Sequence, residues 1–100
     1  MKRIYTLKTK LWLYPGEYAS GHFLTVPKAE SAAIKQSFGA HSRGWGSLPV
    51  TVTIEKKKWD TSIFPDRKAG TYLLPIKAAV RRAEGLMLDD QVTYSITIQR

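Results

Sequence analysis

Hydrophobic and polar positions alternate along most of this chain, and a few prolines and glycines interrupt the alternation. From Arg3 to Tyr14, Ile4, Tyr5, Leu7, Leu11, Trp12 and Leu13 are spaced among Lys8 and Lys10, which predicts a long strand ended by a turn at Pro15 and Gly16. Lysines on such a strand also discourage edge pairing with a second molecule. His22 to Val26 predicts a second strand, and Pro27 stands where a fixed φ and a missing N–H suit the first turn of a helix. That helix is expected over Lys28 to about Phe38. Ile34 and Phe38 lie on one face, Ala29, Ala32 and Ala33 allow close approach to a sheet, and Gly39 supplies the stop.

The second half reads in the same way. His41 to Ser47 forms a glycine-rich loop around Trp45, after which Val50, Val52 and Ile54 alternate with Thr51, Thr53 and Glu55 as a half-buried strand does. Lys56, Lys57 and Lys58 mark a connection before a strand over Trp59 to Phe64, and the Pro65 to Gly70 stretch has the composition of a surface turn. Thr71 to Leu74 is the next expected strand. Pro75 is expected to open a second helix with Ile76, Val80, Ala83 and Met87 on one face and Lys77, Arg81 and Glu84 on another. Gly85 ends it, and Gln91 to Gln99 is the last strand.

An aromatic-proline pair, a glycine, a β-prone run and a second proline thus occur twice. The elements are Tyr14, Pro15, Gly21, Phe23, Leu24, Val26 and Pro27, then Phe64, Pro65, Gly70, Tyr72, Leu73, Leu74 and Pro75. Such a period predicts duplication of one supersecondary unit, with repeats of approximately 3–56 and 57–100 inside a single domain spanning 1–100. Half a chain this short buries too little surface to fold alone, so the repeats must share one core. About six strands and two short helices make a mainly β (α+β) class, and a small closed or partly split barrel is the economical way to cover its sheets.

Charge adds a partner class. Sixteen Lys plus Arg against eight Asp plus Glu give a net charge of +8, which attracts polyanions loosely. The sharpest basic set is Arg67, Lys68, Lys77, Arg81 and Arg82, with Lys56 to Lys58 expected nearby. Clustered on one face, these residues would neutralise phosphates and bind nucleic acid in a salt-sensitive, sequence-independent way. Against this stands the plain alternative of a solvated helix face, in which Glu84 pairs with Arg81. The aromatic residues Trp12, Tyr14, Tyr18, Phe23, Trp45, Trp59, Phe64 and Tyr72 are a second candidate. They would line a pocket for a planar ligand or protein partner around Trp45, Trp59 and Tyr72, stack exposed bases, or simply fill the core.

Catalytic signatures are absent from the sequence. There is no cysteine, and His22 and His41 stand far apart with no carboxylate at metal-ligand spacing. No phosphate-cradling glycine loop and no nucleophile elbow occurs, and Asp89 and Asp90 have the setting of a solvated turn. The expectation is a non-catalytic binding module without cofactor or metal. No apolar run has the length of a signal or membrane segment, so a cytoplasmic, non-membrane protein is expected, and a monomer fits.

From Leu73 to Ile96 the order of proline, basic residue, helix, glycine, apolar residue, acidic turn and valine-containing strand resembles the swapped-hairpin AbrB/MazE DNA-binding superfamily. The spacing of Arg81, Ala83, Gly85, Leu86, Asp90 and Val92 carries that likeness, although one extra residue separates Lys77 from Arg81 and Asp89 stands where a glycine is usual. Across residues 3 to 99 the chain more specifically resembles a small prokaryotic family described only as domain of unknown function nineteen-hundred-and-five. Gly44-Trp45-Gly46-Ser47, Trp59, Thr61 to Asp66, Gly70, Tyr72 to Pro75, Lys77, Val80 and Arg81 carry this resemblance. Together the likenesses imply a double-split β-barrel in which one chain supplies both halves, and they imply no activity.

Overall fold

The computed structural model describes residues 3–14 and 21–98, with the side chain of Trp45 outside the described set. The turn expected at Pro15 and Gly16, and Tyr18 within it, also lie outside the described residues. Six strands and two helices follow one another as β1 (Arg3–Tyr14), β2 (Gly21–Val26), α1 (Lys28–Phe38), β3 (Leu48–Ile54), β4 (Lys57–Asp66), β5 (Thr71–Pro75), α2 (Ala78–Glu84) and β6 (Gln91–Ile98). Every pairing is antiparallel, and the strands close a barrel in the order β1-β2-β5-β4-β3-β6.

Two long strands divide that barrel into two sheets. Along β1, Arg3 to Lys10 pair with β6, whereas Leu11 to Tyr14 pair with β2 on the other edge. Along β4, Leu48 to Ile54 of β3 face Lys57 to Ile63, and Phe64 to Asp66 then turn to β5. The first sheet is therefore β1-β6-β3-β4 and the second β1-β2-β5-β4, sharing their outer strands. This is a double-split barrel. Exchanging β1 with β4, β2 with β5 and β3 with β6 maps the set of pairings onto itself, and Leu24 of β2 lies opposite Leu74 of β5.

Inward positions of both sheets meet in one core that includes Leu7, Leu11, Leu24, Val52, Ile63, Leu74, Tyr94 and Ile96. Fully burying a leucine such as Leu24 contributes about 1.5–3 kcal/mol. α1 adds Ser31, Ile34 and Phe38, three residues of one helical stripe, whereas α2 adds only Val80. Inside the barrel the Tyr94 phenol accepts a hydrogen bond from Thr9 Oγ1 at 3.1 Å, and burial pushes its pKa up to about 12.

Several boundaries differ from the sequence expectation. Pro65 and Asp66 continue β4, because Asp66 pairs with Thr71, so the turn is confined to Arg67 to Gly70. Lys57 and Lys58 likewise belong to β4, and the connection before it reduces to Glu55 and Lys56. Pro75 does not open a helix. It ends β5 opposite Phe23, the next residue continues the contact as Ile76 N–H donates to His22 O at 2.8 Å, and α2 begins only at Ala78. Pro27, by contrast, immediately precedes α1, so the two prolines do not occupy matching places. Met87 lies beyond α2 and is exposed, because Gly85 at φ 63 closes the helix with its N–H on Arg81 O. Thr51, expected to face water, is buried and donates to Asp60 Oδ1 of the neighbouring strand at 2.7 Å.

Candidate functional site: two clefts beside the helices

The five basic candidates fall into two groups at opposite ends of β5. Arg67 and Lys68 sit in the turn at the start of β5, whereas Lys77, Arg81 and Arg82 follow its end. The five residues of β5 between them span roughly 13 Å at about 3.3 Å per residue. Of the pocket candidates whose side chains are described, Tyr72 and Trp59 lie in different clefts. Tyr72 lines a cleft beside α1, and Trp59 lines another near the start of α2. The sequence sorted these residues by type. The fold regroups them by place, with cations and aromatic rings in each cleft.

The cleft beside α1 has a volume of about 380 Å³ and lies between that helix, the loop after it and the β4-β5 turn. Lys35 contributes from α1, and Arg67 from the turn. Gly46 determines how Arg67 is seated. Its φ is 78, and a Cβ there would come within 3.0 Å of Pro65 Cγ and 3.1 Å of Arg67 Nη2. Only a residue without a side chain allows the loop to pack so closely on the guanidinium. The Asp66 carboxylate is already engaged, accepting from Ala69 N–H at 3.2 Å, while Gly70 N–H closes the turn on Asp66 O. Lys28 lies outside the lining but close by, its Cε 3.7 Å from where a Gly70 Cβ would stand.

The back wall of this cleft is well ordered chemically. Ser31, 2% exposed, donates to Val26 O at 2.9 Å and accepts from Tyr72 N–H at 3.0 Å. One hydroxyl therefore bridges facing backbone groups of β2 and β5 and ties α1 to both strands. The sequence reading missed Ser31. A serine inside a predicted helix carries no periodic signal, though its place three residues before Ile34 on the same stripe is the trace it leaves. Burial raises the Tyr72 phenol above its ordinary pKa, with the Arg67 charge pulling the other way. Thr71 Oγ1, which shares this wall, is buried and finds no hydrogen-bond partner among the described residues.

The cleft near α2 is smaller, about 230 Å³, and mostly apolar, with Phe23, Trp59, Pro75 and Ile76 around it and His22, Thr61 and Lys77 as polar members. Arg81 stands next to it, its Nε donating to Ile76 O at 3.3 Å and its Nη1 lying 3.5 Å from His22 Nε2. Arg81 thus ties α2 to the neighbouring strand β2, and no ion pair joins it to Glu84 among the described residues. Burial, and secondarily the Arg81 charge, hold the His22 pKa below 6.5. A guanidinium can only donate, so Nε2 is the acceptor in this contact. Lys77 and Arg82 are exposed. Among the described residues no three His, Cys, Asp or Glu side chains cluster, and no helix is long and apolar enough to cross a membrane.

Fold and clefts together define a small double-split β-barrel with cation-bearing recesses beside its helices. The model of one family, described as a domain of unknown function (DUF1905), matches residues 8–96, and the chain belongs to that family. No curated protein matches the chain.

Proposed function

We propose that this domain is a non-catalytic binding module for a small anionic molecule, a phosphate or carboxylate compound, held in the cleft beside α1. The observation that carries the reading is Arg67, seated over Gly46 next to Tyr72 with Lys35 on the opposite wall. A cleft of 380 Å³ falls in the range typical of small-molecule sites, between about 300 and 1,000 Å³. Arg67 would supply paired donors to the anion, Lys35 and Lys28 would add charge, and the unsatisfied Thr71 hydroxyl would gain a partner. Origin by duplication of a β-β-α-β unit belongs to the same proposal, supported by the strand exchange that preserves every pairing. So does a cytoplasmic setting, where phosphorylated metabolites are abundant.

Thermal unfolding in the presence of inorganic phosphate tests the reading. Ligand at ten times its Kd stabilises the native state by about 1.4 kcal/mol, which raises the Tm by roughly 4–8 °C per kcal/mol in a domain of this size. Arg67→Ala should abolish that rise while leaving the Tm in chloride near the wild-type value. An equal phosphate effect in both proteins would reject the site.

A further inference from the structure

The two sheets carry opposite characters on their outer faces. On the first, Thr6 lies opposite Ser95 and Lys8 opposite Thr93, polar pairs of a wetted surface that also carries exposed Ile4. On the second, Trp12 lies opposite Phe23, Phe23 opposite Pro75, and Leu73 opposite both Thr25 and Phe64. Directly opposed residues project from the same face. Trp12, Tyr14, Phe23, Pro75 and Phe64 therefore form one apolar, largely aromatic outer surface, with Leu73 on the same face but buried. Its side chains are not part of the interior, which the opposite face of the same strands supplies through Leu11, Leu24, Val26 and Leu74. Tyr14 is 45% exposed and Phe64 42%.

The arrangement is fixed rather than loose. The Trp12 indole donates Nε1–H to Thr25 Oγ1 at 2.8 Å, which orients the ring. Tyr14 faces Gly21, so no side chain stands opposite it. Ring centroids lie 5.7 Å apart for Trp12 and Tyr14, and 6.0 Å apart for Phe23 with each of them. The rings meet at 41°, 46° and 72°, so none is stacked flat on another. Lysines frame this surface. Lys10 precedes Trp12 on the same face of β1, and exposed Lys77 follows Pro75.

Aromatic rings set in a rigid sheet and framed by cations, on a chain of net charge +8, match a partner that combines planar apolar groups with a polyanionic backbone. We infer that the outer face of the β1-β2-β5-β4 sheet binds single-stranded nucleic acid, with bases stacked on Tyr14, Phe23 and Phe64 and phosphates neutralised by Lys10 and Lys77. A duplex hides its base faces and gains nothing from the rings, whereas each base stacked on an aromatic side chain contributes substantially. This surface is distinct from the α1 cleft and stands independently of the ligand assigned there.

The test is fluorescence anisotropy of the full chain against a labelled oligothymidylate and a duplex of equal length, at low and then rising salt. The single strand should bind at least tenfold more tightly than the duplex. Tyr14→Ser and Phe64→Ser, both at exposed positions, should each weaken it between about 5-fold and 100-fold, as loss of one stacking platform does. Lys10→Gln should lower the salt slope by about 0.7, one phosphate contact on a single strand, and Arg67→Ala should leave binding unchanged. Equal affinity for duplex and single strand with no effect of Tyr14→Ser would reduce the attraction to charge alone and overturn the inference. Absence of binding at low salt would overturn it too, as would a dimer dissolved by Tyr14→Ser, which would assign the face to a second copy of the chain.

Discussion

Replacing Ser31 by alanine tests how the α1 cleft is held together. The hydroxyl is 2% exposed and satisfies two backbone groups at once, Val26 C=O and Tyr72 N–H, in residues that are themselves 0% and 5% exposed. Water cannot readily replace it. Leaving a buried backbone donor or acceptor unpaired costs about 1–3 kcal/mol each, and the higher helix propensity of alanine returns about 0.5 kcal/mol. Some re-closure of β2 on β5 will recover part of the loss, so Ser31→Ala should destabilise the domain by about 2–4 kcal/mol. That corresponds to a fall in Tm of order 10–20 °C for a chain of this size. Urea unfolding should show a lower midpoint with an unchanged m value, because the surface exposed on unfolding is nearly the same. The Tyr72 amide should also exchange faster than its β5 neighbours. A loss below about 0.5 kcal/mol, the range of an ordinary surface substitution, would show that the bridge is not what joins helix and strands.

Other positions yield shorter tests. Gly46→Ala places a Cβ 3.0 Å from Pro65 and 3.1 Å from Arg67 at a φ of 78; it should cost about 1–3 kcal/mol and displace Arg67, read by denaturation and by loss of the phosphate effect. For His22, whose folded pKa lies below 6.5, the unfolded chain binds more protons between these two values. Stability contributed there is complete above 6.5 and falls as the pH drops through the folded pKa, and His22→Asn should flatten that slope in pH-dependent unfolding. Arg81→Met should raise the His22 pKa only part of the way to 6.5 in an NMR titration, because burial is the larger cause and remains. The Tyr94 phenol, raised to about 12 from 10.0, favours the folded state fully below pH 10 and progressively less up to 12. Tyr94→Phe should remove that alkaline loss, followed by absorbance of the phenolate.

Much of the fold was legible because strand periodicity depends on neighbours two residues apart. Val50, Val52 and Ile54 alternate as the sequence predicts, and Gly85 ends α2 where a left-handed residue is required. What escaped were features decided by distant pairing. Pro65 and Pro75 have turn and helix-start chemistry, yet both lie in strands. Pro75 lies opposite Phe23 at the end of β5 and loses no necessary N–H bond, while Pro65 follows the point where β4 leaves β3 for β5. The candidate site was legible only as residue types. Arg67 and Tyr72 are near in sequence, but nothing local indicates that Ser31 and Gly46 close around them, or that Arg81 reaches His22 fifty-nine positions away. Lys77 and Arg67 looked alike as charges, and the length of β5 keeps them apart.

The most direct test of the central claim is a backbone amide NMR titration of the protein with inorganic phosphate. The largest shifts should fall on Gly46, Arg67, Gly70, Thr71 and Tyr72 and should saturate. Shifts centred on Lys77 and Arg82, or small unsaturating shifts spread over all exposed lysines, would contradict it.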